Sequence, residues 1–312
     1  MTPLRKSVED YLSLRRRLGY KLKDPGTYLH HFVSFLERQG VDYVTTEMAL
    51  RWAMQPANSQ PAHWAARLRA VRLFAQHHSA TDLRTEVPPL GLLPYRTRRK
   101  QPYIYTVTEI RRLMAAARRL SPSTTGLHPW TYSTLLGLLA VAGLRVGEAL
   151  RLNRDDWDLT QGVLTIRHTK FNKTRIIPVH QTSRRALQDY ARRRDRIYSR
   201  PKTPSFFVSE RGTRVEHSCV SRTFYKLSRE VGLRGPTDRH GPRLHDFRHA
   251  FAVRTVLRWY REGADVEPRI PVLSTYLGHG HVSDTYWYLS SVPELLSLAA
   301  SRLERSSGWN LP

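Results

Sequence analysis

Apolar residues recur at helical spacing through the first ninety residues of the chain. Two runs repeat roughly every three or four residues, one at Val8, Leu12, Leu14 and Leu18 and the other at Tyr28, Phe32, Phe35 and Leu36. Such spacing predicts amphipathic helices, and Asp24, Pro25 and Gly26 are expected to break the first helix from the second. The pattern predicts two further helices over residues 46–54 and 63–77.

The periodicity changes in the second part of the chain. Thr106 and Glu109 form a predicted capping box ahead of a helix, and the apolar run 135–142 predicts a buried helix. Residues 163–166 and 175–179 are β-branched segments around a polar centre, which predicts a β-hairpin. Helical spacing returns at about 181–198, 218–231, 245–262 and 293–305. The fold class predicted is therefore mainly α with a small β-sheet (α+β).

Residues 87–104 separate these two parts. They contain four prolines and a basic cluster at residues 96–100, without clear periodicity, which is typical of a linker. We expect a helical domain at 1–92, a linker at 93–104 and a mixed α/β domain at 105–312. A length of 312 residues suits such a division, because it is too long for one small core.

The charge of the chain indicates its partner. Lys and Arg number 51 against 26 Asp and Glu, which gives a formal net charge of +25 at pH 7, and both predicted domains are basic. An excess of this size favours a polyanion, with nucleic acid as the first candidate; the alternative is the high background charge of an arginine-rich proteome. Arg67, Arg69 and Arg72 on the fourth helix either form a solvated face or contact phosphate.

Composition also excludes several classes of protein. Cys219 is the only cysteine, which excludes an intramolecular disulfide and a cysteine-rich zinc site. Charges occur throughout the first twenty residues, without an apolar run of signal-peptide length. No stretch approaches the roughly eighteen apolar residues of a membrane span. We therefore expect a soluble, cytoplasmic protein.

Polar residues of the second half have the chemistry that phosphodiester cleavage requires. They are Arg145, Lys170, His245, Arg248, His279 and Tyr288. Cleavage must stabilise charge on the non-bridging oxygens, activate a nucleophile and protonate a leaving oxygen. A guanidinium can bind two phosphate oxygens at once, so both arginines suit the first task. His245 and Arg248 are three residues apart on a predicted helix and share a face. An alternative for Arg145 is an ion pair with Glu148 alone.

Four segments carry these residues in order: AGLRVGEALRL, HTKFNKTRIIPV, RLHDFRHAFA and YLGHGHVSDTYWYL. Their order and contexts resemble the tyrosine recombinase (phage integrase) family over about residues 103–312. The first ninety residues are similar to the core-binding domain of that family only in size, helical character and charge. The resemblance implies a catalytic domain of the DNA breaking-rejoining type and two domains that clamp duplex DNA.

The resemblance also implies a role for each residue. Arg145, supported by Glu148, and Arg248 would bind the scissile phosphate, and His279 would donate a hydrogen bond to it. Tyr288, nine residues after His279, is the implied nucleophile. Tyr286 is its rival, although positions two apart on a helix point about 200° from each other, so only one faces the site.

Lys170 is the implied general acid at the tip of the hairpin. The family pattern is Lys-Gly-x-Lys-x-Arg with the first lysine catalytic, and Phe171 here replaces the glycine. Lys173 is the rival lysine, and both lysines are alternatively exposed residues of a hairpin tip. His245 and Lys170 are expected to assist proton movement, because a phenol with a pKa near 10 is mostly neutral at pH 7.

The implied reaction is attack of tyrosine on a phosphodiester, giving a 3′-phosphotyrosyl link and a free 5′-hydroxyl. The link conserves the bond energy, so no ATP, metal or other cofactor is expected. His279 and His281 invite a metal site, but Asp284 is the one carboxylate at ligand spacing. Two alternative functions stay open: a type IB topoisomerase, and a catalytically silent DNA-binding regulator.

The C-terminal segment 289–312 is amphipathic, with leucines at 295, 296, 298 and 303. In the family, the segment after the nucleophile often docks on a neighbouring protomer, which implies a homotetramer on DNA. The alternative is a helix that packs on its own domain. The sequence predicts DNA integration, excision or transposition without distinguishing among them.

Overall fold

The computed structural model of the chain describes residues 2–95, 101–121, 125–167, 174–238 and 240–289, with residues 294, 295, 297, 298, 300 and 301. The side chains of residues 288 and 289 are outside this description. Contacts divide the chain into two compact units, Met1–Lys100 and Gln101–Pro312. The predicted linker 93–104 spans this division, and its residues 96–100 are outside the described part, so its role stays a prediction.

The described part of the first unit is helical. Its helices are α1 (Pro3–Arg17), α2 (Lys23–Arg38), α3 (Thr46–Met54) and α4 (Pro61–His78). Their apolar faces bury Leu12, Phe32, Trp52 and Phe74 in one core, as the helical spacing predicts. Prolines occupy the first positions of α1 and α4, where the missing N–H removes no intrahelical hydrogen bond.

The break between α1 and α2 lies earlier than the sequence predicts. Asp24, Pro25 and Gly26 are part of the first turn of α2 and do not interrupt it, so the predicted break is wrong. The fixed φ of proline suits a first turn, and an acidic residue there faces the positive end of the helix dipole. The chain turns instead at Gly19, with a φ of 90°, and at Leu22, with a φ of 39°.

The three arginines interleaved along α4 have different surroundings. Arg69 is exposed, whereas Arg67 is buried. Arg72 is half-buried, and its Nε donates a hydrogen bond to the carbonyl of Pro88 at 2.9 Å. A wholly solvated face, one of the two predictions for these residues, is therefore wrong for Arg67 and Arg72.

The second unit combines helices with a small sheet, which confirms the predicted fold class. Its elements are α5 (Val107–Arg118), α6 (His128–Ala142), α7 (Val146–Arg151), β1 (Trp157–Asp158), β2 (Val163–Ile166), β3 (Arg175–Pro178), α8 (Gln181–Ile197), α9 (His217–Glu230), α10 (Asp246–Arg261), α11 (Arg269–Leu277) and α12 (Ser283–Leu289). None of the described helices is long and apolar enough to cross a membrane.

Local sequence fixes the ends of α5 and α6. The predicted capping box is present, because Thr106 Oγ1 accepts from the N–H of Glu109 at 3.1 Å and Glu109 Oε2 accepts from the N–H of Thr106 at 2.8 Å. The buried helix α6 ends at Gly143, which has a φ of 58°. A Cβ there would lie 2.5 Å from the Phe251 ring, so glycine allows α10 to pack closely on α6.

The sheet has the strand order β1-β2-β3, with both pairs antiparallel. In the β2–β3 pair, Leu164 is opposite Ile177, which confirms the predicted hairpin strands. Leu164, Ile166 and Ile177 are buried in the core of the unit. The residues that connect the two strands, 168–173, lie outside the described part.

Three described residues of the C-terminal segment, Glu294, Leu295 and Leu298, contact their own unit. Leu295 is buried in a cluster that includes Val253, Leu273 and other residues of α10 and α11. Glu294 forms an ion pair with Arg261 at 2.5 Å. In a single chain, therefore, this segment has an intramolecular binding surface.

Candidate active site

Arg145 precedes α7 and bonds to the first turn of that helix. Its N–H donates to Glu148 Oε2 at 3.0 Å, and its guanidinium donates to Glu148 Oε1 at 2.9 Å and to the carbonyl of Gly278 at 3.2 Å. These contacts hold the side chain in one orientation, and 27% of it remains exposed. The guanidinium is thus both fixed and reachable from solvent.

Glu148 is a buried carboxylate that two arginines share. Only 1% of its side chain is exposed, and Arg175 of β3 donates to Glu148 Oε2 at 2.8 Å. Burial raises the pKa of Glu148, but hydrogen bonds and positive charge from Arg175 and Arg145 outweigh it and lower the pKa to about 2. The carboxylate is therefore ionised at neutral pH, and the two arginines with Glu148 carry one net positive charge.

Arg248 of α10 is fully buried. Its Nη1 donates to the carbonyl of Gly143 at 2.9 Å, and its Nη2 donates to the carbonyl of Leu277 at 2.5 Å. Buried guanidinium donors need such acceptors, because an unmade hydrogen bond in the interior is costly. A phosphate oxygen reaches Arg248 only if an element that covers it moves.

One turn of main chain connects the two candidate arginines. Leu277 accepts a hydrogen bond from Arg248, and the next residue, Gly278, accepts one from Arg145. Gly278 adopts a φ of 70° at the end of α11, and a Cβ there would lie 2.9 Å from Nη1 of Arg175. The backbone conformation favours glycine at this position, and a side chain there would also displace the guanidinium of Arg175.

His279 follows this turn and bonds to α12. Its Nδ1 lies 2.8 Å from Oγ1 of Thr285, a fully buried residue. Burial, together with the positive charges of Arg248 and Arg145, lowers the pKa of His279 to about 4. The imidazole is therefore neutral at pH 7.

His245 directly precedes α10, near enough to Arg248 and Arg145 for their charges to act on it. We refer to the region around these residues and His279 as the cleft. Its ring centroid is 4.8 Å from that of His249, which is buried. Although part of His245 remains exposed, loss of hydration in the cleft and the charge of Arg248 lower its pKa to about 4. Burial lowers the pKa of His249 to about 3. Two neutral imidazoles are thus adjacent beside the arginines.

Helix α12 carries both candidate nucleophiles, Tyr286 and Tyr288. Thr285 contacts His279, and the ring centroid of Trp287 lies 5.7 Å from that of His249, so both side chains orient the helix beside the cleft. Tyr286 is 50% exposed. The side chain of Tyr288 is outside the described part, so its choice as the nucleophile stays a prediction.

The hairpin lysines also fall outside the described residues. Lys170, its rival Lys173 and the intervening Phe171 all belong to 168–173. The structure describes the strands on either side, and Arg175, the first residue of β3, bonds to Glu148. The role of Lys170 stays a prediction.

The chain has relatives among known proteins. A sequence model of the phage integrase family matches residues 104–294. The chain belongs to the phage integrase family. A putative integrase/recombinase from Sinorhizobium fredii is 49% identical to this family member, over 98% of this chain and 98% of that protein.

A second relative and a solved structure extend the comparison. The tyrosine recombinase XerC of Thermodesulfovibrio yellowstonii is 31% identical to this phage integrase family member, over 72% of this chain and 69% of that protein. A structure of the Tn1549 transposon integrase in complex with transposon right end DNA shares the fold, with a TM-score of 0.64, 16% identity and coverage of 98% and 99% of the two chains. The family and enzyme class predicted from the motifs, a tyrosine-type site-specific recombinase, are confirmed.

The sequence did not point to three residues that contact the candidate catalytic side chains or the helix that carries the candidate nucleophiles: Arg175, His249 and Thr285. Arg175 is the final arginine of the Lys-Gly-x-Lys-x-Arg pattern, and this charged residue at the start of an apolar strand was the available signal. Thr285 and His249 gave no comparable signal. Their roles depend on contacts with His279 and Trp287 that only the folded chain makes.

The described residues offer no support for a metal at His279 and His281. Within them, no group of three or more His, Cys, Asp or Glu side chains could hold a metal ion. His281 is exposed, and Nδ1 of His279 is bonded to Thr285.

We expect the cleft histidines of the DNA-free protein to titrate well below the ordinary histidine pKa of about 6.5. The midpoints should lie near 4 for His245 and His279, measured by NMR of the ring protons in the full chain. Their pKa values are lower in the folded than in the unfolded chain, so the stability that they contribute is present above pH 6.5 and is lost as pH falls toward 4. His279→Gln assigns its signal, and a midpoint near 6.5 for that signal would contradict the buried environment.

Proposed function

We propose that this chain is a site-specific DNA recombinase that cleaves and rejoins duplex DNA through a 3′-phosphotyrosyl intermediate. The observation that carries the proposal is the meeting of Arg145, His245, Arg248 and His279 in one cleft. These residues come from separate segments of the second unit. The family of the chain supports the same function.

The charge distribution of the cleft suits a phosphodiester. Arg145 presents a guanidinium whose orientation Glu148 and Gly278 hold, and such a planar donor group can bind two phosphate oxygens. Donors that are already oriented stabilise developing negative charge without reorganising during the reaction. The net charge of +25 supports duplex DNA as the partner, and cytoplasmic location stays part of this proposal.

The proposed reaction proceeds in two reversible transfers. The Tyr288 hydroxyl oxygen attacks phosphorus, the bond from phosphorus to the 5′ oxygen breaks, and Lys170 gives that oxygen a proton. A 5′-hydroxyl from a partner strand then attacks the phosphotyrosyl link and releases Tyr288. One phosphoester bond forms for each one that breaks, so the reaction consumes no nucleotide.

The two histidines have complementary tasks in this scheme. A neutral His245 has a ring nitrogen that accepts the proton of the tyrosine. In this scheme the Thr285 hydroxyl donates to Nδ1 of His279, which lies 2.8 Å away. That tautomer places the His279 proton on Nε2, which donates it to a non-bridging phosphate oxygen. Arg248 joins Arg145 on the phosphate once the cleft opens, because in the DNA-free structure it is fully buried.

Covalent trapping on nicked DNA tests this proposal. Duplexes nicked at successive positions, tiled across the DNA that flanks the gene, let the short 5′ fragment diffuse away and prevent rejoining. The expected product is a protein–DNA adduct that survives denaturing electrophoresis and forms in the presence of EDTA. If no tiled duplex gives an adduct although the protein binds DNA, a silent DNA-binding regulator becomes the better description.

A second assay separates recombination from the topoisomerase alternative. A recombinase exchanges strands between two sites, whereas a type IB topoisomerase relaxes supercoiled DNA by resealing one strand. The names of the two protein relatives favour recombination. Relaxation without exchange on a two-site plasmid would favour the topoisomerase.

We further propose that the active assembly is a homotetramer on DNA. In the single chain Leu295 and Glu294 bind their own unit, and in the assembly the same segment would bind the equivalent surface of a neighbour. Removal of residues 293–312 should therefore reduce crosslinked tetramers on DNA while leaving DNA-bound monomers. Unchanged tetramer yields after this truncation would contradict docking by the segment.

A further inference from the structure

The first unit contains a cavity that the proposed chemistry does not use. It has a volume of about 380 Å³ and lies between α2, the end of α3 and α4. The lining residues that matter here are His31, Ser34, Arg38, Trp52, Gln55 and Arg67. Their polar side chains can all donate hydrogen bonds, and no carboxylate occurs in the lining that the described residues provide.

Arg67 forms the floor of this cavity. It is 8% exposed, its guanidinium carbon lies 3.8 Å from the centre of the Trp52 ring, and its Nη2 donates to the Trp52 carbonyl at 2.7 Å. Its Nε is buried without a hydrogen-bond acceptor among the described residues. Burial lowers the pKa of Arg67, and the influence that opposes it comes from Tyr28 rather than from a carboxylate.

A structural role accounts for only part of this arrangement. The bond to Trp52 satisfies one of the last carbonyls of α3, which a helix end leaves without an intrahelical partner. It does not explain why the exposed side chain of Arg38 lines the same cavity as a buried cation, because like charges repel. The carboxylate next to Arg38 in sequence, Glu37, is already bound by Arg5 of α1 at 2.6 Å.

An anion in the cavity would compensate the buried charge. Burying a cation is unfavourable unless it is paired, and the stacked, fixed guanidinium of Arg67 resembles the arginines that bind phosphate. Further donors come from the exposed side chains of Arg38, His31 and Gln55 and from Ser34, whose Oγ accepts a hydrogen bond from Arg5 at 2.9 Å. The cavity therefore has a buried cation at its floor and donors around its opening.

We propose that this cavity binds a phosphate group of the backbone of duplex DNA, with Arg67 as the fixed contact and Arg38 closing over it. The source of the phosphate rests on the proposed function, because a recombinase acts on duplex DNA. The contact positions the first unit on DNA and reads no base, since phosphates carry no sequence information.

The salt dependence of DNA binding by the full chain tests the proposal. Arg67→Met keeps an unbranched stem against Trp52 but removes the donors, and Arg38→Gln removes the charge at the mouth. Each should lower the affinity for one fixed duplex about tenfold and reduce the slope of log K against log salt by about one unit. Fluorescence anisotropy at several salt concentrations measures both quantities.

Arg84→Gln is the matched control in the same unit. Arg84 is already paired with Asp82 at 2.9 Å and with Asp42 at 3.2 Å, so removing it should leave the slope unchanged. Slopes for Arg67→Met and Arg38→Gln that equal the slope for Arg84→Gln would overturn the proposal. Thermal denaturation shows whether Arg67→Met folds. If it does not, the salt slopes of Arg38→Gln and His31→Gln decide the question, because both variants replace exposed side chains.

A titration with inorganic phosphate distinguishes a DNA phosphate from free phosphate as the anion in the cavity. NMR signals of Trp52 and His31 are followed as phosphate replaces chloride at constant ionic strength. A changed DNA slope supports the proposal whether or not free phosphate shifts these signals, since DNA then supplies the group. Shifts with free phosphate and an unchanged DNA slope would overturn DNA as the source.

The test of this phosphate site can fail or succeed independently of the test of the recombinase proposal. If the wild type forms the covalent adduct on nicked DNA while Arg67→Met and Arg38→Gln leave the salt slope unchanged, the phosphate site fails and the recombinase proposal stands. If the wild type forms no adduct while the slope effects persist, the recombinase proposal fails and the phosphate site stands.

Discussion

Replacing Tyr288 with phenylalanine is expected to abolish covalent attachment to nicked DNA while leaving DNA affinity within about twofold. The change removes the hydroxyl that forms the phosphotyrosyl bond and leaves the ring, so binding contacts persist while the reaction has no nucleophile. Loss of a nucleophile lowers the rate by at least about 10⁴-fold. Denaturing electrophoresis of labelled DNA measures the adduct, and anisotropy measures binding.

Tyr286→Phe is the matched control for this prediction. It removes one hydroxyl from the same helix, two positions earlier, and Tyr286 is half-exposed. The adduct should form at close to the wild-type rate in this variant. Persistent attachment in Tyr288→Phe together with loss in Tyr286→Phe would transfer the nucleophile to Tyr286.

Replacing Glu148 with glutamine should lower the free energy of unfolding of the second unit by about 3–5 kcal/mol, because it leaves two positive side chains without their buried counter-ion. The amide keeps the size and one acceptor oxygen, so lost charge accounts for the change. Urea denaturation followed by circular dichroism measures the difference. The variant should also cleave DNA poorly, since Arg145 loses the partner that orients it.

Glu230→Gln provides the comparison for Glu148→Gln. Glu230 pairs with Arg119 at 3.0 Å on the surface, where water screens the charges, so its loss should cost no more than about 1 kcal/mol. The pKa of Glu148 is lowered by folding from 4.5 to about 2. Its stabilisation is therefore full above pH 4.5 and disappears as pH falls through about 2. Equal, pH-independent losses in the two variants would contradict the buried ion-pair cluster.

The elements that the sequence predicted well are those set by residues close together in the chain. The capping box at Thr106 and Glu109 and the β-branched strands of the hairpin are set by neighbouring residues, so local rules suffice for them. The prediction misplaced the break between α1 and α2, and the reason is also local. Pro25 is compatible with a turn and with the first turn of a helix, and the choice between them depends on the glycine that ended α1 earlier.

The candidate site was predictable as a set of residues but not as an arrangement. The pair of Arg145 with Glu148 is local, and the sequence showed it. The bond from Arg175 to Glu148 and the bond from Thr285 to His279 depend on where distant elements return. The complete burial of Arg248 is likewise a property of packing, and no spacing of residues along the chain indicates it.

If Arg248 binds the scissile phosphate as proposed, its burial separates DNA capture from strand cleavage in time. Arg145 is reachable from the start, whereas Arg248 donates to two main-chain carbonyls and is fully buried. We then expect a first-order rearrangement, whose rate does not rise with DNA concentration, between encounter and reaction. A duplex that binds but does not favour this step would be released uncut, so discrimination among DNA sites would reside in a rate as well as in an affinity.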